Sequence, residues 1–210
     1  MESLKVIEKV AEKLAPGRSP IFTEVHIVKA LETVSTEEAV GRIKLSKTLG
    51  LGEGVTRTLV KHLRNEGIIE ISRSGIVLSV SGRELFSLLK SKIGGETEVP
   101  KSSLTVGSFN VAVLIRDEAD VVTYGLEQRD AAIKAGASGA TTLVFSHNRL
   151  AMPGTSEDVF QNIESIHDML ISNLKPKEND VIIIGSAEDR LTAELGAKAA
   201  VLELLKSKKR

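Results

Sequence analysis

Three basic side chains on one predicted helix have the types and the spacing to bind a charged partner. Arg57, Lys61 and Arg64 recur at intervals of four and three residues, so a helix places them in one row. The opposite side of the same segment is an apolar stripe at helical spacing, formed by Thr56, Leu59, Val60 and Leu63. A helix that buries one face and presents long cations on the other can bind phosphate groups.

The elements around this helix indicate how it is presented. Residues 40–67 are predicted to form two short helices joined by the turn Gly50-Leu51-Gly52, and Gly67 is expected to end the second helix in a left-handed conformation. Two helices joined by a glycine-bearing turn are typical of a helix-turn-helix, which places its second helix in the major groove. Taken by itself, the second helix is equally well interpreted as an ordinary amphipathic helix with a solvated charged face.

A predicted hairpin favours the first interpretation. Residues 68–72 and 76–80 read as two strands, and Arg73-Ser74-Gly75 has the composition of a turn. A hairpin directly after the recognition helix is the wing of a winged helix, and Arg73 at its tip can reach a phosphate or the minor groove. The sequence therefore predicts double-stranded DNA as a partner, with these candidate DNA-binding residues: Lys47, Arg57, Thr58, Lys61, Arg64 and Arg73.

Composition excludes several classes of protein and site. The 210 residues are 41% hydrophobic and 27% charged, which are globular values. The absence of cysteine excludes disulfides, thiolate zinc sites and cysteine nucleophiles, and we expect no metal and no cofactor. No apolar run is long enough for a membrane span and no signal peptide is visible, so we expect a cytoplasmic protein. With no tryptophan and one tyrosine, few side chains can stack on bases, which argues against single-stranded nucleic acid as the main ligand.

The net charge of zero hides an uneven distribution. Residues 1–95 contain 15 Lys and Arg against 11 Asp and Glu, whereas residues 96–210 contain 13 against 17. The first half is therefore suited to a polyanion and the second half is not.

The chain is predicted to contain two domains. Residues 1–93 form the winged helix, with an additional helix over 2–14, a first domain helix over 21–34 and a last one over 81–93. Small and polar residues over 94–103, including Gly94, Gly95 and Pro100, read as the linker. The second domain then spans 104–210.

The second domain is predicted to be a ferredoxin-like α/β sandwich. Its predicted elements follow the order β-α-β-β-α-β with one extra helix, at 108–115, 124–135, 140–146, 149–152, 157–174, 180–185 and 188–205. A doubly wound parallel sheet is the alternative if residues 149–152 are not a strand. A ferredoxin-like sheet carries its helices on one face, so we expect its bare apolar face to be buried in a homodimer.

The densest polar cluster of the second domain is the candidate ligand site. It comprises Arg116, Tyr124, Gln128, Arg129 and Asp130, where an arginine can either clamp a carboxylate or simply pair with an aspartate. The segment 185–189 joins a strand to a helix and can hold an anion, but its two acidic residues favour plain capping. His147 and His167 have no carboxylate at a recognisable spacing, and nothing combines a nucleophile, a base and an orienting group, so we expect no enzyme.

The segments that carry these features resemble a known family. GRIKLSKTLGLGEGVTRTLVKHL, the predicted wing, LEQRDAAIKAGASGATTLVF and DVIIIGSAE are similar to a family of archaeal proteins that join an N-terminal winged helix to a C-terminal domain of unknown function. The resemblance covers about residues 22–205 and excludes the helix predicted over 2–14. It implies a transcription regulator and an archaeal source, and it implies no particular ligand.

Together these observations favour a DNA-binding transcription regulator that is dimeric on palindromic sites. Its acidic C-terminal domain is expected to sense a small-molecule effector or to mediate dimerisation. The alternative is an interaction module whose winged helix docks a partner protein without binding DNA.

Overall fold

The computed structural model describes residues 2–12 and 21–207. The chain divides into two compact units, residues 1–90 and residues 91–210. Each unit has its own core and its own sheet, so each is described by itself.

The N-terminal unit consists of helices and one small hairpin. Its elements are α1 (Glu2–Ala11), α2 (Glu24–Ser35), α3 (Arg42–Leu49), α4 (Glu53–Asn65), β1 (Ile69–Ile71), β2 (Ile76–Leu78) and α5 (Val80–Lys92). The predicted additional helix is present as α1, and its apolar side Leu4, Ile7 and Val10 is buried. The last two residues of that predicted helix, 13 and 14, lie outside the described residues.

The predicted helix-turn-helix and wing are both present. Gly50 ends α3 in the left-handed conformation with φ 65°, which a residue without Cβ adopts at no steric cost. Gly67 follows α4 with φ 69°, as expected for a left-handed cap. Strands β1 and β2 pair antiparallel from Ile69 opposite Leu78 to Ile71 opposite Ile76, which forms the wing.

The C-terminal unit is a five-stranded sheet with helices. Its elements are β3 (Ile93–Glu98), β4 (Phe109–Ile115), a 3-10 turn (Ala119–Val121), α6 (Leu126–Lys134), β5 (Gly139–Ser146), β6 (Arg149–Ala151), α7 (Glu164–Leu174), β7 (Val181–Ala187) and α8 (Arg190–Ser207). The strand order is β3-β4-β7-β5-β6, and every neighbouring pair is antiparallel. The predicted α+β class is confirmed, and the doubly wound parallel alternative is wrong.

The strand order differs from the ferredoxin-like order, and β3 adds a fifth strand at the edge beside β4. The four strands of the predicted β-α-β-β-α-β order are β4, β5, β6 and β7. In the ferredoxin-like arrangement the third of these strands lies between the first two, whereas here the fourth, β7, lies between β4 and β5. All seven residues of β7 are buried, as suits a central strand. Strand β6 has only three residues, begins with the exposed Arg149 and lies at the edge, where a short charged strand is tolerated.

Helices cover both faces of this sheet, so the expectation of a bare apolar face is wrong. Leu114, Leu143 and Ile184 point to one face, where they join a buried cluster with three residues of α7, namely Ile166, Leu170 and Leu174. The other face is covered by α8, because a Cβ on Gly185 would lie 2.5 Å from the backbone of Ala193 and of Ala197. Helix α6 packs against α8 at Gly196, whose added Cβ would lie 3.7 Å from the Cβ of Ala132 in α6.

The segment 94–103, interpreted from the sequence as a linker, instead contains most of β3. Strand β3 pairs with β4, with Glu96 opposite Val113 and Glu98 opposite Val111, and a bulge lies between Ile93 and Glu96. Two glycines and two glutamates are typical of a linker, but an edge strand with a bulge accommodates them equally well. The unit boundary lies between Lys90 and Ser91, before the start predicted for the linker.

Helix α7 begins seven residues later than predicted. The prediction started this helix at residue 157, but α7 begins at Glu164. Asn162 has φ 71°, which a residue inside a right-handed helix does not adopt. Residues 155–163 therefore form a loop in front of α7, and this loop lines a cavity described below.

Candidate nucleic-acid interface

The buried side of α4 fixes the direction of its basic side. Thr56, Leu59, His62 and Leu63 are almost fully buried in the unit's core. His62 Nδ1 lies 2.9 Å from the carbonyl oxygen of Val10 in α1, so this ring nitrogen carries the proton and donates it. The same imidazole packs edge-on against another ring of the core, that of Phe22, at a centroid distance of 5.2 Å. These contacts leave α4 little freedom to rotate about its axis.

The basic row predicted on α4 lies on the exposed face. Arg57, Lys61 and Arg64 are exposed, and none has an ion-pair or hydrogen-bond partner within the part of the chain that the structure describes. By contrast, Lys44 on α3 binds Glu37 at 2.7 Å. Cations without a carboxylate partner remain available for phosphate groups.

A groove between α4 and the wing is lined by four cations of this unit. It encloses about 670 Å³ and contains all three basic residues of α4 together with Arg42 from the start of α3. Among the described residues no acidic side chain lines it, and its apolar wall is formed by Val40, Val60, Ile71 and Ile76. Four positive side chains around one concavity produce a local positive potential that attracts polyanions.

Sequence analysis did not identify Arg42. It is the first residue of α3 and does not belong to the periodic face of α4. Its place in the groove depends on a long-range contact, because the backbone of Val40 pairs with that of Ile76 in the wing. The spacing of basic residues along the sequence carries no signal of such a contact.

The other predicted DNA-binding residues are exposed but do not line the groove. Lys47 lies on α3 and Arg73 lies in the turn of the wing, and both side chains are exposed. The Thr58 hydroxyl donates a hydrogen bond to the carbonyl of Gly54 at 3.1 Å, so it is left with acceptor capacity only.

The predicted ligand residues of the second unit do not converge on one cavity. Arg116 binds Asp180 at 3.2 Å, and Arg129 binds Asp130 at 3.0 Å, so each arginine already has a carboxylate. Gln128 is 2% exposed, and its Oε1 has no hydrogen-bond partner among the residues that the structure describes.

Tyr124, the fifth predicted ligand residue, is exposed and packs against Gly154. A Cβ on Gly154 would lie 2.5 Å from Tyr124 Cδ1. Of the alternatives left open for the arginines of this set, the geometry favours pairing with aspartate.

The ring of His167 has a carboxylate partner, contrary to the interpretation from the sequence, whereas at His147 a carboxylate binds only the backbone N–H. His167 Nδ1 lies 3.2 Å from Asp168 Oδ1, although adjacent residues on a helix rarely face each other. At the β5–β6 turn, Glu178 accepts hydrogen bonds from the Ser146 hydroxyl at 2.8 Å and from the His147 backbone N–H, which lower the pKa of Glu178. This glutamate binds the serine and not the imidazole ring, so it does not orient a base as a catalytic triad requires.

An acidic residue caps the start of α8. Hydrogen bonds from the Thr192 side chain and from the Thr192 backbone N–H, the latter at 2.9 Å, lower the pKa of the Asp189 carboxyl, which caps α8 as expected. The described residues contain no group of three or more His, Cys, Asp or Glu side chains arranged to hold a metal ion. Among the helices of this part of the chain, none is long and apolar enough to cross a membrane.

Comparisons with known proteins agree with the two-unit organisation. Residues 26–93 match the family described as CggR N-terminal DNA binding domain, and residues 106–204 match a domain of unknown function, DUF4443. The chain is 35% identical over 93 residues to the central glycolytic genes regulator of Bacillus subtilis (strain 168), a match that covers 43% of this chain and 27% of that protein.

A solved structure resembles nearly the whole chain. It is the hypothetical protein PH0730 from Pyrococcus horikoshii OT3, with a TM-score of 0.63 and 24% sequence identity. The alignment covers 87% of this chain and 94% of that one. At this identity the similarity shows a shared fold. The chain therefore joins a region similar to a DNA-binding domain of regulators to a C-terminal domain of unknown function.

Proposed function

We propose that this protein is a transcription regulator that binds double-stranded DNA through its N-terminal unit. The observation that carries the proposal is the groove between α4 and the wing, where Arg42, Arg57, Lys61 and Arg64 meet without an acidic residue. The match of residues 26–93 to the CggR N-terminal DNA binding domain supports the same function. No activity beyond binding is needed, and the similarity to a regulator supports a protein that is not an enzyme.

The exposed face of α4 supplies the contacts to the major groove. Arg57 lies nearer the start of the helix, which in a helix-turn-helix is the end that contacts base edges. Lys61 and Arg64 lie further along and suit phosphates, because a long cation makes a good contact to the DNA backbone without reading sequence. Lys47 and Arg73 extend this surface on α3 and on the wing tip, and the Thr58 hydroxyl can accept a hydrogen bond from a base.

We further propose that the protein acts as a homodimer on a palindromic site. One recognition helix reads one half-site, and two half-sites related by symmetry require a symmetric pair of helices. Both faces of the C-terminal sheet are covered by helices, so the candidate dimer surface lies elsewhere, on the exposed side of α6. Leu126 and Ile133 are 49% and 48% exposed there, and a spacing of seven residues places them on the same side of the helix.

The C-terminal unit is proposed to sense a small-molecule effector. The protein is proposed to act in the cytoplasm, where bacterial and archaeal DNA is found. The acidic character of this half disfavours a direct contact with DNA. A domain that does not bind DNA but is joined to one that does is suited to regulation.

A module that docks a partner protein without binding DNA is the second candidate. Ile43 on α3 and Ile71 on the wing are 61% and 55% exposed, and Ile71 lines the groove. Exposed apolar residues are typical of protein interfaces, whereas a phosphate backbone gains nothing from them.

Salt-dependent binding to DNA distinguishes the two candidates. The full chain is titrated with fluorescent genomic duplexes at several salt concentrations, and the logarithm of the affinity is plotted against the logarithm of the salt concentration. Phosphate contacts give a steep negative slope, and Lys61→Ala should reduce its magnitude by about 0.9 if it removes one contact. Arg57→Ala should cost about 1–3 kcal/mol on a preferred sequence if this side chain reads a base. A wild-type protein that shows no salt-dependent retention would instead support the protein-docking module.

A further inference from the structure

A second cavity, of about 350 Å³, lies in the C-terminal unit. Strand β6, the loop 155–160 and the first two turns of α7 surround it. A volume of this size suits a small molecule, which needs about 300 Å³ or more. None of the ligand residues predicted from the sequence lines it, although Tyr124 packs against Gly154 directly before the loop.

The wall of this cavity is partly apolar and well ordered by packing. Leu150 and Phe160 are 5% and 4% exposed, so their side chains belong to the core and form a firm base for a ligand. The His167 ring packs edge-on against the Phe160 ring at a centroid distance of 5.0 Å. An aliphatic or aromatic group of a ligand can therefore pack here away from water.

The polar rim of the cavity carries both signs of charge. Arg149 is exposed and has no hydrogen bond or ion pair within residues 2–12 and 21–207. Four carboxylates also line the cavity, those of Glu157, Asp158, Glu164 and Asp168. An unpaired guanidinium among carboxylates is available to a ligand that reaches the cavity.

Two of these carboxylates shape the loop and two are available to a ligand. Asp158 accepts the Phe160 N–H at 3.0 Å, and Glu164 accepts the Asn162 N–H at 3.3 Å. These bonds stabilise the turn before α7. The Glu157 carboxylate has no partner among the described residues, and Asp168 is bonded only to His167.

The balance of charge restricts the class of ligand. One guanidinium against four carboxylates gives a negative potential that repels phosphates and dicarboxylates. A simple amine would be attracted, but it would leave the guanidinium of Arg149 without an acceptor. A molecule that carries one acid group, one ammonium group and an apolar part matches all three features of the cavity.

We propose that this cavity binds a free amino acid with an apolar side chain. The ligand carboxylate binds the Arg149 guanidinium, whose planar fork fits a carboxylate with two parallel hydrogen bonds. The ammonium group binds Glu157 and Asp168, and the side chain packs against Phe160 and Leu150. The amino acid would be the small-molecule effector of the proposed regulator. Its regulatory role rests on the proposed function, whereas binding of the amino acid to the cavity does not.

Calorimetry of the full chain with chosen probes tests the site. The probes are leucine, isoleucine, methionine and phenylalanine, with leucinamide, 4-methyl-2-oxopentanoate and inorganic phosphate as comparisons. We expect at least one of the four amino acids to bind at millimolar concentration or below. Leucinamide lacks the carboxylate and 4-methyl-2-oxopentanoate lacks the ammonium group. Each should bind at least about tenfold more weakly than leucine, as the loss of one charge-assisted hydrogen bond predicts.

Matched variants locate the binding on the protein. Arg149→Gln should weaken binding of the amino acid at least about tenfold, and Asp168→Asn should weaken it without weakening binding of 4-methyl-2-oxopentanoate, because the loss of a negative charge does not disfavour an anion. Arg129→Gln is the control, because Arg129 is a similarly exposed arginine that does not line the cavity. Circular dichroism checks that each variant is folded.

Three results would overturn the proposal. In the first, none of the four amino acids binds. In the second, phosphate or the oxo acid binds as tightly as the amino acid. In the third, Arg149→Gln and Arg129→Gln weaken binding of the amino acid equally. DNA affinity is measured separately on the same samples. A protein that binds DNA but no amino acid refutes this inference alone, and one that binds an amino acid but no DNA refutes the proposed function alone.

Discussion

Val40 and Ile76 exchange both of their backbone hydrogen bonds, each with a nitrogen-to-oxygen distance of 2.9 Å. This pair joins the segment before α3 to the second strand of the wing. The N-terminus of α3 and the wing are therefore held together on one side of the groove, with α4 on the other. Arg42, two residues after Val40, is held opposite the basic face of α4.

Replacing Arg42 by alanine should weaken binding to DNA without unfolding the protein. Arg42 is exposed and unpaired among the described residues, so the free energy of unfolding should change by about 0.5 kcal/mol or less. If Arg42 contacts one phosphate, the magnitude of the salt slope falls by about 0.9. Lys44→Ala is the matched control, because Lys44 lies on the same helix but outside the groove. Equal slopes for Arg42→Ala and the wild type would exclude the phosphate contact.

Replacing Gly75 by alanine should destabilise the wing. Gly75 has φ 143°, and an added Cβ would lie 2.8 Å from the carbonyl oxygen of Val40. We expect a loss of about 1–3 kcal/mol, since a side chain is strained in this backbone region and the Val40–Ile76 pair must move. Gly54→Ala is the control, because nothing lies within 4 Å of the added atom there and a helical alanine is at least as stable as glycine. Urea unfolding of both variants measures the difference, and a Gly75→Ala protein as stable as the wild type would contradict the strain argument.

A fragment that begins at residue 91 should be more stable than one that begins at residue 104. Strand β3 supplies the buried side chain of Ile93 at the edge of the sheet, and Val99 follows it in the core. Burying such side chains contributes about 1.5–3 kcal/mol each. Without β3, Lys198, which is 1% exposed, also loses its contact with Glu96. Thermal unfolding followed by circular dichroism compares the two fragments, and equal midpoints would mean that β3 adds nothing to this unit.

Patterns that are local in the chain predicted much of this structure. The apolar stripe of α4 and the turn at Gly50 depend on neighbours within one or two helical turns, so these two helices could be predicted from spacing, and the hairpin after them indicated a winged helix. Three features depend on distant contacts and could not. They are the position of β7 between β4 and β5, the covering of the second sheet face by α7, and the placement of Arg42 by the Val40–Ile76 pair.

The residue composition of β3 led to a wrong prediction, because a linker and an edge strand accept the same residues. The segment 94–98, Gly-Gly-Glu-Thr-Glu, reads as part of a linker because glycine and glutamate are rare in central strands. At the edge of a sheet the same residues are acceptable, and Glu96 and Glu98 bind Lys198 and Arg190 of α8. No local property of the sequence indicates that α8 lies beside this segment.

His26 should make the stability of the protein depend on pH. Its Nδ1 accepts a hydrogen bond from the Thr23 backbone N–H at 3.1 Å, which stabilises the start of α2, and burial lowers the pKa of His26 below its ordinary value of 6.5. Below pH 6.5 the unfolded chain therefore binds a proton that the folded chain does not. The contribution of neutral His26 to the free energy of unfolding is therefore complete above pH 6.5, and it is lost as the pH falls towards the pKa of His26 in the folded chain.

The variant His26→Gln isolates this effect. Glutamine keeps an acceptor at the third position of the helix, where it can still bind the Thr23 N–H, but it does not titrate. Urea unfolding from pH 5 to pH 8 should show a steeper loss of stability at acid pH for the wild type than for the variant. Parallel curves would mean that His26 has the same pKa in the folded and the unfolded chain.

The exposed side of α6 should determine the oligomeric state. Leu126 and Ile133 lie on one side of the helix and are about half exposed, and the Arg129–Asp130 ion pair lies between them in the sequence. In a two-fold dimer each α6 would bury these apolar residues against the same helix of the second copy. We expect light scattering to give a dimer for the wild type at micromolar concentration and a monomer for Leu126→Glu combined with Ile133→Glu, since burying two carboxylates without partners is costly. Leu88→Glu, an equally exposed leucine on α5, should remain a dimer. A monomeric wild type would remove the homodimer from the proposed function, and a dimeric double variant would place the interface elsewhere.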